Sequence, residues 1–323
     1  MQALWDEVAE QLGTDKTLDE PSLGRSEALR RRFYGVLYEE SNEVGYRFRS
    51  SFPPFWFERV QPSLKDPTQP DRASLFGLYY NRRSAERADA ILTDSEATRR
   101  DVIKLLGVAP ERVTTVLLGV SGDFTPTGAP GERERLRAKY GLSDRPTVLA
   151  VGTVQPRKNY ARLITALAAL GPAHEDVHLV IAGGRGWLDS PIFRAVYDQG
   201  LEDRVHFIGF ARDEDLPALY SGAACLAYPS LYEGFGFPVL EAMACATPVV
   251  TSTISSMPEV AGDAALLVDP YSVEAIAEAL GRLLSDSELR ETLVRRGIAQ
   301  AAQFTWGRTA RHLREIYDGM LAV

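Results

Sequence analysis

At 323 residues, with 45% hydrophobic and 25% charged side chains, the chain has the make-up of a globular protein with room for two cores, and disorder is not its default state. A formal net charge of −8 argues against bulk nucleic-acid binding, which calls for a basic surplus. The two cysteines, Cys225 and Cys245, lie in or beside apolar segments without metal-ligand spacing; with no apolar run near the roughly 20 residues of a spanning helix and an acidic start, MQALWDEVAEQLG, a cytoplasmic protein with buried thiols is expected.

In chain order, residues 2–12 and 26–39 read as short helices, and 41–74 is aromatic and Pro-rich without a clear period. A helix follows to about 88, then a strand AILT (90–93), and Ser95 is placed to cap the helix EATRRDVIKLLG. VTTVLLGV (113–120) reads as a strand, and TPTGAPGE (125–132) as a linker, because Pro, Gly and Thr cluster there without apolar periodicity. Beyond it, apolar strands at 147–151, 178–182, 205–208, 224–228, 248–251 and 265–268 alternate with helices near 159–171, 189–200, 213–221, 238–245, 272–284 and 286–302. Continuous apolar strands separated by helices predict a parallel sheet covered on both faces, a doubly wound α/β domain. Such sheets bind ligands beyond the carboxyl ends of their strands, so the loops after those strands are where chemistry is expected.

The loop after 147–151 reads GTVQPRKNY. Gly152 permits a tight exit, and Arg157 and Lys158 precede a helix expected to open at about Asn159, a combination suited to phosphate. Taken alone, the pair is as readily a solvated helix start. The loop GGRGW after 178–182 serves backbone geometry or a ligand, and in GFARDED after 205–208, Gly209 and Phe210 form either one wall of a flat pocket or a structural turn. The richest loop follows 224–228. Ser230 to Gly236 connect to a helix in which Pro238 is expected first, with Glu241 in the first turn and Glu233 in the loop above it. Glycines at 234 and 236 let a ligand approach the backbone. By itself, Glu241 reads as a first-turn glutamate favouring the helix dipole.

EGFGFPVLE (233–241) resembles the E-x7-E signature of retaining glycosyltransferases of the GT-B fold, more narrowly glycosyltransferase family 4 of bacterial type. VGTVQPRKN, LVIAGGRGW, the run from VHFIGFARDED to ATPVVTS and MPEVAGDAALLVDP resemble members of that family in order and spacing, from about residue 75 to the end of the chain. The resemblance implies a GT-B-like α/β fold: a shortened N-terminal, acceptor-side domain over 1–125, a complete nucleotide-sugar-binding Rossmann-like domain over 126–306, and a last helix over 307–323 crossing back to the N-terminal domain. It implies metal-independent transfer of a sugar from a nucleoside-diphosphate sugar to a glycan, lipid-linked or small-molecule acceptor, with retention and no cofactor. Glu233, Arg157 and Lys158 are then the catalytic residues. Arg157 and Lys158 clamp the donor diphosphate, Glu241 takes the ribose hydroxyls, and Gly152, Asn159, Gly209, Phe210, Ser230, Gly234, Phe235, Gly236, Val239 and Leu240 complete the donor site. Nothing before residue 75 reads as a buried parallel strand, so the N-terminal domain is expected to be incomplete, and the alternative is a donor-binding subunit that is inactive without a partner. Peripheral membrane contact or a second subunit stays open, with no nucleic-acid partner expected. The family's His-Asp pair has no counterpart before the linker: His174, His178, His206 and His312 all follow it, and His178 and His206 sit at strand starts, away from the expected cleft.

Overall fold

The computed structural model describes residues 84–321 apart from 129–130 and 187–188. The helices expected at 2–12 and 26–39, the stretch 41–74 and most of the helix expected before 88 lie outside the described residues. The chain divides into two compact units, Met1–Leu117 and Leu118–Val323. The Pro- and Gly-rich stretch 125–132 falls within the second unit, where the Thr127 N–H donates to Ser221 Oγ at 3.0 Å.

In the first unit, strands β1 (Ile91–Thr93) and β2 (Val113–Thr115) pair in parallel, and helix α1 (Glu96–Leu106) connects them. Ser95 caps α1 as expected, its hydroxyl accepting the Thr98 N–H at 3.1 Å, and Gly107 ends it in the left-handed region at φ 68°. Ala85, Ala88, Ile91, Val102, Val108 and Val113 form the core of this unit. The strand expected over 113–120 keeps only its first three residues.

The second unit is a six-stranded sheet of β3 (Thr147–Val151), β4 (His178–Ala182), β5 (Val205–Gly209), β6 (Cys225–Tyr228), β7 (Val249–Ser252) and β8 (Leu266–Val268). Every pairing in it is parallel, and the strand order is β5-β4-β3-β6-β7-β8. This is the order of a dinucleotide-binding fold, in which the chain builds outward from β3, returns, and builds outward again from β6. The connections are helices α2 (Glu132–Tyr140), which leads into β3, α3 (Tyr160–Ala168), α4 (Ser190–Asp198), α5 (Leu216–Gly222), α6 (Phe237–Ala244) and α7 (Met257–Ala261), followed by α8 (Val273–Ser285), α9 (Ser287–Ala301) and α10 (Trp306–Leu321). β6 and β7 are buried at every residue, which is why their sequences show no alternation. The two thiols, Cys225 and Cys245, are buried. No described helix is long and apolar enough to cross a membrane.

Candidate active site at the switch point of the sheet

The strand order reverses between β3 and β6, which are direct neighbours through Val148↔Cys225 and Leu149↔Leu226. The loops leaving these two strands therefore meet side by side, and they carry Arg157 with Lys158 and Glu233 respectively. Leu231 N–H donates to Arg157 O at 2.9 Å, fixing one loop on the other. The loop after β4 closes in as well: Val154 N–H donates to Gly184 O and Gly186 N–H to Val154 O, at 2.8 and 3.0 Å.

Glu233 is the centre of the cluster. Its side chain is fully buried, and it accepts from Arg157 Nη1 at 2.6 Å through Oε2 and from Lys158 Nζ at 2.9 Å through Oε1. Arg157 Nη1 also reaches Tyr232 O, while Lys158 Nζ donates to the Tyr228 hydroxyl at 2.6 Å and lies 4.8 Å from the centre of that ring. The backbone of Glu233 is pinned by Ser255 and Ser256, whose hydroxyls donate to its carbonyl at 2.6 and 3.1 Å. Burial pulls the Lys158 ammonium below its usual pKa, against the Glu233 carboxylate that supports its charge. A buried carboxylate with two cations within hydrogen-bond reach is a site charged before any ligand arrives. Gly152 makes room for it: a Cβ there would lie 2.8 Å from Lys158 Cε, and its φ of 132° suits only glycine.

Glu241 behaves differently from its expectation as a first-turn residue. Helix α6 begins at Phe237 with Gly236 as its N-cap at φ 111°, so Glu241 is its fifth residue and the first turn holds no acid. The dipole account thus does not apply. What holds Glu241 is Tyr220 of α5, whose hydroxyl donates to Oε2 at 2.7 Å. Burial raises the Glu241 carboxyl to about 7, opposed by that hydrogen bond and by Lys158, and assisted by Asp213. Pro238 is the second helical residue and not the first, without consequence for the helix.

The remaining expected residues divide by what their side chains do. Asn159 sits at φ 62° between a 3-10 turn, Pro156–Lys158, and α3; its amide donates to Pro229 O and Pro270 O at 3.0 and 2.7 Å, and its Oδ1 accepts from Arg162. It clamps the loops after β3, β6 and β8 together, a duty no local pattern announces. Val239 and Leu240 are completely buried, and Phe235 packs edge-on against Phe237 and Phe304. Phe210, after Gly209 at the end of β5, is 55% exposed. Ser230 Oγ is buried without a hydrogen-bond partner, and so is Oε1 of Gln155, a residue that sequence reading passed over. Orphaned buried polar atoms are uncommon and cost about 1–3 kcal/mol each, and these two lie in the neighbouring loops that leave β3 and β6. His178 and His206 stack on each other at the amino ends of β4 and β5, away from these loops as expected, with Nδ1 and Nε2 2.7 Å apart. Two cavities of about 300 and 500 Å³ also open at that opposite edge, beside Pro146 and Ala224, far from the loops that carry the charged cluster.

The family model for group 1 glycosyl transferases matches residues 132–300. Among curated relatives, O-antigen chain mannosyltransferase B of Escherichia coli is 40% identical over 69% of this chain and 58% of its own length. A serotype-specific mannosyltransferase WbdA of the same organism is 33% identical over 76% of this chain and 31% of its own. The chain thus spans little more than half of the first relative and about a third of the second. Sucrose-phosphate synthase from Thermosynechococcus elongatus superposes with a TM-score of 0.68 at 26% identity, covering 81% of this chain and 65% of that one. Anabaena Alr3699/HepE, solved in complex with UDP and glucose, gives 0.69 at 23% identity, over 76% and 67% of the two chains. The likeness bears out the GT-B-like, parallel-sheet α/β architecture.

Proposed function

The chain belongs to the group 1 glycosyltransferase family, and from that premise we propose that it moves a glycosyl unit, by preference mannosyl, from a nucleoside-diphosphate sugar to a growing saccharide with retention of anomeric configuration. The observation that carries this reading is the meeting of Arg157, Lys158 and Glu233 at the switch point of the sheet. The mannosyl preference rests on the two mannosyltransferase relatives, and the nucleoside-diphosphate donor on the charge of the site and on the UDP complex of the structural neighbour.

In this reading the donor diphosphate lies across Arg157 and Lys158 at the start of α6, where no side chain caps the helix. As the sugar–oxygen bond breaks, negative charge builds on the departing diphosphate, and preplaced cations in a buried site stabilise it without reorganising. This supplies the charge compensation that a divalent cation supplies elsewhere, so the transfer runs metal-independently. With the cations turned to phosphate, Glu233 is the carboxylate left to orient the sugar hydroxyls and stabilise the developing oxocarbenium ion. The acceptor hydroxyl attacks from the face the diphosphate leaves, its oxygen bonding to the anomeric carbon as the sugar–diphosphate bond breaks and its proton passing to the departing diphosphate oxygen. Glu241 takes the ribose hydroxyls, Ser230 and Gln155 take further hydroxyl or phosphate groups, and the exposed Phe210 flanks the base.

The test is transfer by the full 323-residue chain. GDP-mannose, UDP-glucose and UDP are incubated with it and an oligomannose acceptor, in the presence of EDTA. A longer saccharide with an α-linkage from GDP-mannose, seen by mass spectrometry and NMR, is expected. Inversion at the anomeric carbon, or transfer abolished by EDTA, would overturn the mechanism, and absence of any transfer or nucleoside-diphosphate binding would overturn the function.

A further inference from the structure

The buried partner of Glu241 suggests a role that the family's motif does not contain. Tyr220 lies twenty-one residues earlier in the chain, on a different helix, and its side chain is wholly inaccessible to solvent. Three contacts hold it in place. Its carbonyl accepts from Thr247 Oγ1 at 2.8 Å, its ring meets Phe124 edge-on at 6.0 Å, and its hydroxyl donates to Glu241 Oε2 at 2.7 Å. Glu241 Oε1 has no hydrogen-bond partner among the described residues. One oxygen of the carboxylate is therefore occupied by an immobile donor, and the other is left for a ligand.

Building on the ribose role assigned to Glu241 above, we propose that Tyr220 is the positioning residue of the nucleoside site: its hydroxyl holds Glu241 Oε2, orients the carboxylate, and presents Oε1 alone to the vicinal hydroxyls of a ribose. The physics is that of a low-dielectric acceptor. An ionised carboxylate accepts a ligand O–H far better than a neutral acid does, and burial works against ionisation. Asp213, on the 3-10 turn before α5, opposes ionisation further; Lys158, from the loop after β3, assists it. With the Glu241 carboxyl at about 7, the strength of one hydrogen bond decides whether the carboxylate is available at neutral pH.

The experiment is calorimetric titration of the full chain with UDP and with GDP from pH 5.5 to 9, for the parent, Tyr220→Phe and Glu241→Gln. In the parent, affinity is expected to rise with a midpoint near 7, since the acid is protonated below it and ionised above. In Tyr220→Phe the midpoint is expected to move up by about one pH unit, so that affinity falls about fivefold at pH 7 and returns to the parent's by pH 9. Any change in the charge of Lys158 or of the nucleotide is common to both chains, so the ratio of their affinities isolates Glu241. Glu241→Gln is expected to bind weakly and without this pH dependence. A merely structural tyrosine would lower the melting temperature and weaken binding equally at every pH, and that outcome overturns the proposal. Should Tyr220→Phe not fold, 3-fluorotyrosine at position 220 supplies the second readout: a more acidic phenol moves the midpoint down, and an unmoved midpoint overturns the proposal. Absence of nucleotide binding in the parent overturns the functional reading and this inference together, whereas binding with an unmoved midpoint overturns this inference alone.

Discussion

At the scale of single residues, the site is a balance between a buried anion and two cations, and each is expected to respond in a distinct way. Arg157 and Lys158 both contact Glu233, but only 6% of the Lys158 side chain is accessible whereas 21% of the Arg157 side chain is. Removing either cation deletes charge-assisted bonds worth about 1.5–3 kcal/mol to a bound diphosphate. Arg157→Ala and Lys158→Ala are each expected to weaken UDP or GDP binding by about tenfold to a hundredfold in calorimetry. Lys158→Ala also leaves Glu233 short of a buried partner, so its melting temperature is expected to fall more than that of Arg157→Ala. Equal binding by parent and variants would remove the clamp from the site. The pairing of Arg157 and Lys158 was legible as two cations at a helix start; that a single carboxylate 75 and 76 positions later holds both was not, because nothing local specifies which loop lies opposite.

Among the elements, α2 is the least explained by its own sequence. ERERLRAKY offers one buried side chain, Leu136, and a helix of nine residues with so small an apolar face does not stand by packing alone. It is held by Asp215, at the turn that leads into α5. The Asp215 carboxylate is fully buried and accepts from Arg135 at 2.7 Å and from the Tyr140 hydroxyl at 2.5 Å, with Lys139 as a third partner. Burial raises this carboxyl, but the hydrogen bonds from Lys139, Tyr140 and Arg135 outweigh it and hold it at about 2, below the ordinary 3.8. A depressed carboxyl stabilises the fold above pH 3.8, and that contribution is lost as pH falls through about 2. Asp215→Asn is expected to cost about 2 kcal/mol at pH 7 in urea unfolding, with the difference from the parent shrinking below pH 3.8. A difference that persists unchanged at pH 2 would show that the staple acts by shape and not by charge. The elements themselves were mostly visible: Ser95 caps α1, and the six expected strands of the second unit form, because continuous burial writes itself as continuous apolar sequence. The strand over 113–120 was overextended because apolar residues continue past the last ladder bond; Val120 instead donates to Phe304 O at 3.0 Å.

For the molecule as a whole, all the residues assigned to the donor lie in the second unit, Leu118–Val323, which has its own six-stranded core. The segment 118–323 is expected to fold alone and to bind UDP or GDP within about twofold of the full chain, because no donor contact is lost. Loss of binding in a folded fragment, judged by circular dichroism, would show that the first unit contributes to the site. The sequence by itself determined the doubly wound class, the loops in which to look and the chemical types gathered there, since hydrophobic period, glycine spacing and charge are local properties. Tertiary structure alone decided that β3 lies beside β6, and with it that Glu233 joins Arg157 and Lys158, that Asn159 ties three loops, and that Tyr220 faces Glu241. Those outcomes depend on strand order and on which helices share a face, and parallel strands joined by helices carry no local signal of either.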